Sequence, residues 1–244
     1  MIHKVSSTIL DKKYLALRSI ETSPIQTDLS KMVVNKPWGH EYLLTDTPLV
    51  EVWHLSLGHH QSTSMHCHPN KKTALIVLDG QALFSTLNGS RELSPMDAVL
   101  INSGVFHSTQ CISRKALKLL EIETPPMKHD LIRLEDKYGR VNTGYEGVEK
   151  MKVTNGAYIR FDDKGKVVKN FCNSHLCISS IHDKTDFKNG KFEKTRLGII
   201  LNGLIKSTDG RIAHSVGDVV DIKDLKSGKY NFKNVSLLSI SPKK

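Results

Sequence analysis

The chain has 244 residues, of which 39% are hydrophobic and 25% charged, values that are ordinary for a globular protein with a substantial core. It contains no run of about 18 apolar residues, which excludes a membrane-spanning segment. The first 21 residues lack the apolar core and small-residue cleavage site of a secretion signal. The four cysteines show no disulfide-framework spacing, so we expect a cytoplasmic protein.

The formal net charge of +10 is concentrated in the C-terminal part. Residues 1–150 hold 17 Lys and Arg against 16 Asp and Glu, whereas residues 151–244 hold 18 against 9. This excess indicates either a solvated, lysine-rich surface or a surface for an anionic partner such as a phosphate-bearing sugar, a nucleotide or nucleic acid. Because the lysines are scattered and few aromatic residues lie among them, we do not expect nucleic-acid binding.

The N-terminal segment 1–35 is predicted to form a short helix and a linker. Residues 8–21 place apolar side chains at helical spacing, and residues 22–35 show no clear periodicity. From residue 36 onward, short apolar or alternating runs are separated by Gly, Pro, Asn, Asp and Ser about every 8–12 residues, a pattern typical of an all-β sandwich or barrel.

A second β-rich region is predicted over residues 150–244, after an irregular stretch at 125–150. Residues 197–232 repeat the order of strands and turns in residues 74–109, which favours two tandem barrels. The second copy lacks a histidine pair and has Tyr230 near the position of His107, so we expect it to be degenerate and metal-free. The alternative is a C-terminal β-sheet extension with no repeat relationship.

Three histidines in the first β region form the candidate chemical centre. His66 and His68 are two residues apart, so on a strand their imidazoles point to the same face and Cys67 points away. With His107 they could bind one divalent transition metal, since neutral imidazole suits zinc, manganese, nickel or iron. The alternative is a set of packed or solvent-facing histidines without metal.

The spacing H-x-H-x4-T-x6-G, followed by P-x-D and G-x-x-H, resembles the two signature motifs of the cupin superfamily. The resemblance implies an all-β cupin jelly-roll barrel over residues 36–140, with His66, His68 and His107 as metal ligands. Thr73 stands where the family usually has a glutamate ligand. The loop between His68 and Thr73 is two residues longer than in the closer relatives described next.

A closer resemblance lies on either side of these motifs. Residues 35–42 (NKPWGHEY) and the closing D-x-Y-G-R of residues 119–140 are similar to the type II phosphomannose isomerase cupin. That cupin is the C-terminal domain of bifunctional mannose-1-phosphate guanylyltransferase/mannose-6-phosphate isomerase. The resemblance implies a metal-dependent interconversion of an aldose 6-phosphate and a ketose 6-phosphate. It also implies that four motif residues lie near the sugar: Arg133, Asp136, Tyr138 and Arg140.

Such an isomerisation requires a base and an electrophile. Glu121 and Glu123 share one strand face, and we leave open whether this face points into the barrel or to solvent. The candidate catalytic residues are Glu121, Glu123, His54 and Arg140. The candidate substrate-binding residues are Arg133, Tyr138, Lys71 and Lys72. Both lysines are expected in a loop at the barrel mouth, where they could receive a phosphate or remain solvated.

The predicted function is that of a metal-dependent cupin enzyme similar to mannose-6-phosphate isomerase. It would be an isomerase or an epimerase that acts on a sugar phosphate or a nucleotide-linked sugar in polysaccharide precursor synthesis. Two alternatives stay open, a three-histidine non-haem iron dioxygenase and a non-catalytic sugar-binding bicupin. The expected partner is a small molecule, with no nucleic acid or membrane. A homodimer is expected from the fold alone, because cupins often pair through their sheets.

Overall fold

The computed structural model describes residues 1–18, 28–154, 158–161, 169–187 and 192–243. Within these ranges the secondary structure is almost entirely β. The strands in chain order are β1 (Ile2–Val5), β2 (Met32–Lys36), β3 (Gly39–Thr47), β4 (Val50–Leu57), β5 (Met65–Cys67), β6 (Lys72–Asp79), β7 (Ala82–Thr86), β8 (Gly89–Leu93), β9 (Ala98–Ile101), β10 (His107–Cys111), β11 (Leu117–Thr124), β12 (Ile132–Glu135), β13 (Met151–Val153), β14 (Lys169–Phe171), β15 (Ser174–Ile181), β16 (Leu197–Ser207), β17 (Ile212–His214), β18 (Val219–Asp221) and β19 (Tyr230–Pro242). The α-helices of the described ranges are α1 (Ile9–Ala16) and α2 (Ile222–Leu225), and short 3-10 turns occur at Leu29–Lys31, Val148–Lys150 and Lys184–Phe187.

Two facing sheets of the described residues form a β-barrel. One sheet has eight strands in the order β1, β9, β6, β11, β4, β3, β2 and β13, and the other has five in the order β12, β5, β10, β7 and β8. Their inner faces share one apolar core, in which Trp53 and Leu75 of the first sheet meet Phe84 of the second. The alternation of inward and outward side chains in each strand therefore gives the predicted all-β jelly-roll fold.

The N-terminal segment is part of the barrel, which corrects the prediction of a helix and a linker only. Strand β1 adds to the first sheet by parallel pairing with β9, and β2 begins inside the predicted linker 22–35 and pairs with β3. Helix α1 begins with a capping box between Thr8 and Asp11 and ends at Ala16, and residues 19–27 of the predicted helix and linker lie outside the described residues. The buried Asp11 also accepts a hydrogen bond from the backbone N of Phe106 at 2.9 Å, which fixes the helix beside His107.

The C-terminal region forms one sheet that packs on the barrel. In the described residues after 168, strands β14, β15, β19, β16 and β17 lie in this order, and β18 pairs with β16. One face of this sheet shares a core with the outer face of the barrel, where Ile76 and Val52 meet Ile199 and Leu238. The second barrel of the predicted bicupin is not confirmed. The apolar strands that suggested it bury one face against the first barrel instead.

Among the described residues, neither α-helix has the length and apolar character that crossing a membrane requires.

Candidate metal centre and charged cavity

Three histidines meet at one end of the barrel. His66 in β5 pairs directly with His107 in β10, and His68 follows β5 on the same face as His66. Their ring centroids are 4.5 to 5.6 Å apart, and one nitrogen of each lies within 4.8 Å of the others. All three side chains are buried. Short strands with strict alternation thus bring together residues that are about 40 positions apart in sequence.

The hydrogen bonds of the three rings prepare them to bind a metal. The Nδ1 atoms of His66, His68 and His107 contact the backbone carbonyls of Ser64 (2.8 Å), Asp130 (2.6 Å) and Val105 (2.9 Å). A carbonyl oxygen only accepts, so each Nδ1 carries the hydrogen and each Nε2 keeps a free lone pair. The Nε2 atoms of His68 and His107 are buried without a hydrogen-bond partner. This arrangement fits a divalent transition metal, whose histidine ligands are oriented in this way by backbone or carboxylate partners.

The protonation state of the rings suits the same role. Burial lowers the pKa of His66 and His68 well below the ordinary value of 6.5, and it lowers the pKa of His107 to about 4. The positive charge of Lys71 contributes to the lowering in all three cases. The imidazoles are therefore neutral at physiological pH, as metal ligands must be.

Thr73 faces the barrel interior, as the family spacing implies. It lies opposite Glu123 in the pairing of β6 with β11, and directly paired residues share a face. Its Oγ1 is buried without a hydrogen-bond partner. Within the described part of the chain, the group of potential metal ligands at this site consists of the three histidines and includes no carboxylate.

Glu121 and Glu123 point into the barrel and line a partly open cavity together with His66 and His68. This settles the orientation that the sequence left open. Burial raises the pKa of Glu121 to about 7, and the negative charge of Glu123 adds to this effect. Burial acts on Glu123 in the same sense, but Lys128 and Lys71 outweigh it and hold its pKa below the ordinary value. Near neutral pH, Glu121 can therefore gain or lose a proton while Glu123 stays ionised.

Two buried lysines hold Glu123. Lys71 Nζ lies 2.7 Å from Oε2 of this carboxylate, and Lys128 Nζ lies 2.7 Å from Oε1. Lys128 also lies 3.9 Å from Glu121 Oε2 and 3.9 Å from the centre of the Trp53 ring. Burial opposes the charged form of Lys128, but the neighbouring carboxylates dominate and raise its pKa.

The D-x-Y-G-R segment brings two arginines to the cavity wall. Asp136 accepts hydrogen bonds from the backbone N of Arg140 at 2.8 Å and from its guanidinium at 2.7 Å, which fixes the turn. Arg140 and Arg133 both line the cavity and approach Glu146 at 2.7 and 3.7 Å. Tyr138, by contrast, does not line this cavity; its hydroxyl donates to Gln61 Oε1 at 2.9 Å.

Two other predicted site residues lie elsewhere, and both are corrections. His54 sits on the outer face of β4, since it pairs with Leu120 rather than with Glu121, and it packs 4.7 Å from the ring centre of Phe171 in the C-terminal sheet. Lys72 is 47% exposed and lies 3.7 Å from Asp218, outside the cavity. Strand alternation explains both positions. It directs His54 away from the barrel interior, and it directs Lys72 away from the face of Thr73.

Several cavity residues were not predicted from the sequence. Those that line the cavity are Lys36, Glu41, Lys128 and Tyr145. Asp130 binds the backbone of the loop that carries Lys71. Glu41 bonds to the Tyr145 hydroxyl, and although burial opposes ionisation, Lys128 and Lys36 hold the pKa of Glu41 at about 2. Lys36 pairs with Glu146. The motif residues 35–42 include two of these positions, and this is the signal that could have identified Lys36 and Glu41.

Comparison with known proteins identifies the domain that carries this site. The sequence model of the cupin domain matches residues 53–123. A mannose-1-phosphate guanylyltransferase from Klebsiella pneumoniae is 28% identical over 110 residues, a match that covers 44% of this chain and 23% of that protein. The match therefore spans less than a quarter of this relative.

Similar solved structures include two with names from carbohydrate biology. A putative sugar phosphate isomerase from Acidithiobacillus ferrooxidans has 20% sequence identity and a TM-score of 0.30, with 31% of this chain and 50% of that chain covered. The capsular polysaccharide assembling protein CapF from Staphylococcus aureus has 16% identity and a TM-score of 0.39, with 43% and 34% covered. Together with the β-barrel and its three-histidine cluster, the matched segment 53–123 shows that this chain contains a cupin domain.

Proposed function

We propose that this protein is a metal-dependent cupin enzyme that isomerises a sugar phosphate or a nucleotide-linked sugar. The observation that carries the proposal is the position of Glu121. This carboxyl group, with a pKa of about 7, lines the same cavity as His66 and His68. A base poised near neutral pH beside a set of metal ligands matches the two requirements of aldose–ketose isomerisation.

The Nε2 atoms of His66, His68 and His107 would hold the metal, which when bound would act as a Lewis acid on the carbonyl and hydroxyl oxygens of the sugar. Ionised Glu121 would remove the proton from C2 and return it to C1. Lys128, 3.9 Å from this carboxylate, would stabilise it once the proton has been released.

The cationic wall of the cavity supports an anionic substrate. Lys36, Arg133 and Arg140 line the cavity, and guanidinium groups recognise phosphate oxygens through paired hydrogen bonds. The Nε atom of Arg133 is buried without a hydrogen-bond partner. The relative from Klebsiella pneumoniae is named for a reaction of a sugar phosphate, which agrees with this substrate class.

Deuterium exchange tests the proposal. The protein, loaded in turn with zinc, manganese, nickel and cobalt, would be incubated with mannose 6-phosphate in deuterated water and followed by proton NMR. We expect loss of the C2 proton signal and formation of fructose 6-phosphate. Glu121→Gln should abolish both, whereas Glu92→Gln, a change at an exposed position of β8, should leave them unchanged.

Failure with every metal, or full turnover by Glu121→Gln, would contradict the proposal. Oxygen consumption by the iron-loaded protein would instead favour the three-histidine dioxygenase. Sugar phosphate binding without turnover would favour a non-catalytic binding protein. A homodimer and a cytoplasmic location remain predictions, and sedimentation of the purified protein and localisation of a tagged chain test them.

A further inference from the structure

Lys71 places a positive charge inside the barrel, next to the three histidines. Its side chain is 1% exposed and lines the same cavity as His66 and His68. Its ammonium group contacts Glu123, but that carboxylate is shared with Lys128. Lys128 also lies 3.3 Å from Glu41, whereas the ion pair of Lys71 among the described residues is with Glu123.

The loop that carries Lys71 is fixed by a single buried residue. Asp130 Oδ2 accepts hydrogen bonds from the backbone N of Asn70 at 2.8 Å and of Lys71 at 2.9 Å. The backbone carbonyl of Asp130 accepts the hydrogen bond from His68 Nδ1 at 2.6 Å. The same residue thus orients a metal-binding imidazole and the lysine three positions later. The backbone from which the Lys71 side chain extends is therefore held in place.

The charge balance at the metal centre is consequently unusual. The three imidazoles are neutral ligands, and position 73 supplies a hydroxyl where a carboxylate would remove one charge from a bound divalent ion. The ion would keep its full double charge close to the Lys71 ammonium. Uncompensated charge is costly inside a protein, where electrostatic interactions are strong. An anion that contacts both the ion and the ammonium would offset this cost.

We propose that Lys71 couples metal binding to anion binding, so that a divalent ion and an oxyanion of the substrate occupy this cavity as a pair. The anion class is a small carboxylate-like or phosphate-like oxyanion. The inference rests on the proposed metal site but does not require the isomerase reaction. It also explains how a barrel without the usual glutamate could retain a metal, because the substrate itself would supply the missing negative ligand.

Cobalt binding measured by calorimetry tests the coupling with formate as the probe anion. Titrations in sodium formate and in sodium perchlorate at equal ionic strength give two dissociation constants for the wild-type protein. We expect cobalt to bind at least about tenfold more tightly in formate, and formate to bind more tightly by the same factor when cobalt is present, since coupling is reciprocal. The visible spectrum of bound cobalt should change on formate addition.

Substitution of Lys71 separates its role from that of the metal alone. In Lys71→Met the affinity for cobalt without formate should rise about tenfold, and the coupling factor should fall at least about fivefold. Lys71→Arg keeps the charge and should keep the coupling. Lys72→Met is the matched control, because the neighbouring lysine is partly exposed and lies outside the cavity; this variant should behave as the wild type does.

The outcomes distinguish this inference from the proposed function. Cobalt binding that is the same in formate and in perchlorate would overturn the coupling and leave the metal site intact. Equal coupling in Lys71→Met and the wild type would overturn the role of Lys71. Absence of cobalt binding under every condition would overturn both proposals. If Lys71→Met does not fold, Lys71→Gln takes its place, and the same loss of coupling is expected; unchanged coupling in that variant would overturn the role of Lys71.

Discussion

Replacing Glu121 by glutamine should stabilise the protein at alkaline pH while it removes activity. The pKa of this carboxyl group is raised from 4.5 to about 7 in the folded state, mainly by burial. Between these two values the folded state binds more protons than the unfolded state, so stability falls as pH rises. One pKa unit corresponds to about 1.4 kcal/mol, so ionised Glu121 costs on the order of 3 kcal/mol of unfolding free energy at pH 8 and less than about 1 kcal/mol at pH 5.

Chemical denaturation of the wild type and of Glu121→Gln at these two pH values measures this difference directly. The variant should be more stable by about 3 kcal/mol at pH 8 and by less than about 1 kcal/mol at pH 5. Its turnover should fall by a factor of about 100 to 10,000, the usual contribution of a general base. Wild-type turnover should rise with pH through about 7, as Glu121 loses its proton.

A Glu121→Gln variant that is no more stable than the wild type at pH 8 would refute the reasoning about burial. Full activity in this variant would refute the role as a base. Glu92→Gln is the control for both measurements, because this carboxyl group is exposed and removing its charge should change neither quantity by a measurable amount.

Three further changes test other parts of the structure. Glu123→Gln should lower the unfolding free energy by about 3–5 kcal/mol, because it leaves the buried Lys71 and Lys128 without their shared partner; equal stability in denaturation would contradict this ion network. His54→Phe should reduce the loss of folding stability at acid pH. Burial lowers the pKa of His54 from 6.5 to about 3, so wild-type stability is lost as pH falls below 6.5, by about 3 kcal/mol at pH 4. If the unfolding free energy of both proteins falls by the same amount between pH 8 and pH 4, this interpretation is contradicted. Thr73→Glu should tighten metal binding at least about tenfold in calorimetry, and an unchanged affinity would show that position 73 does not reach the metal.

The core of the site could be predicted from the sequence because strand periodicity governs it. Two histidines separated by one residue share a face, and so do Glu121 and Glu123. The direction of that face could not be predicted. It depends on which side of the first sheet meets the second sheet, and strand register over long sequence distances decides this.

Lys71 shows why the sequence alone could not decide which charged residues line the cavity. In the sequence it belongs to a polar loop that suggests solvent exposure. In the structure Asp130, 59 positions later, binds the backbone of this loop and Glu123 binds the ammonium. Neither contact leaves a local pattern. Lys128 and Tyr145 also reach the cavity from irregular connections rather than from periodic strands.

The C-terminal region illustrates a different limit. The repeated order of strands and turns suggested a second barrel. Strands that are apolar on both faces must be buried on both faces, but a second barrel is only one way to bury them. The described strands meet this requirement by packing one face on the first barrel and by forming a smaller core with α2 on the other. Sequence periodicity reports that a face is buried, but it does not report what covers it.

Metal stoichiometry at the three histidines is the most direct test of the whole account. Calorimetry with zinc or cobalt, supported by elemental analysis of the purified protein, should give one ion per chain for the wild type. The double variant His66→Ala/His68→Ala should bind none and keep its fold by circular dichroism. A wild-type protein that binds no ion, or a double variant that still binds one, would contradict a metal centre at this site.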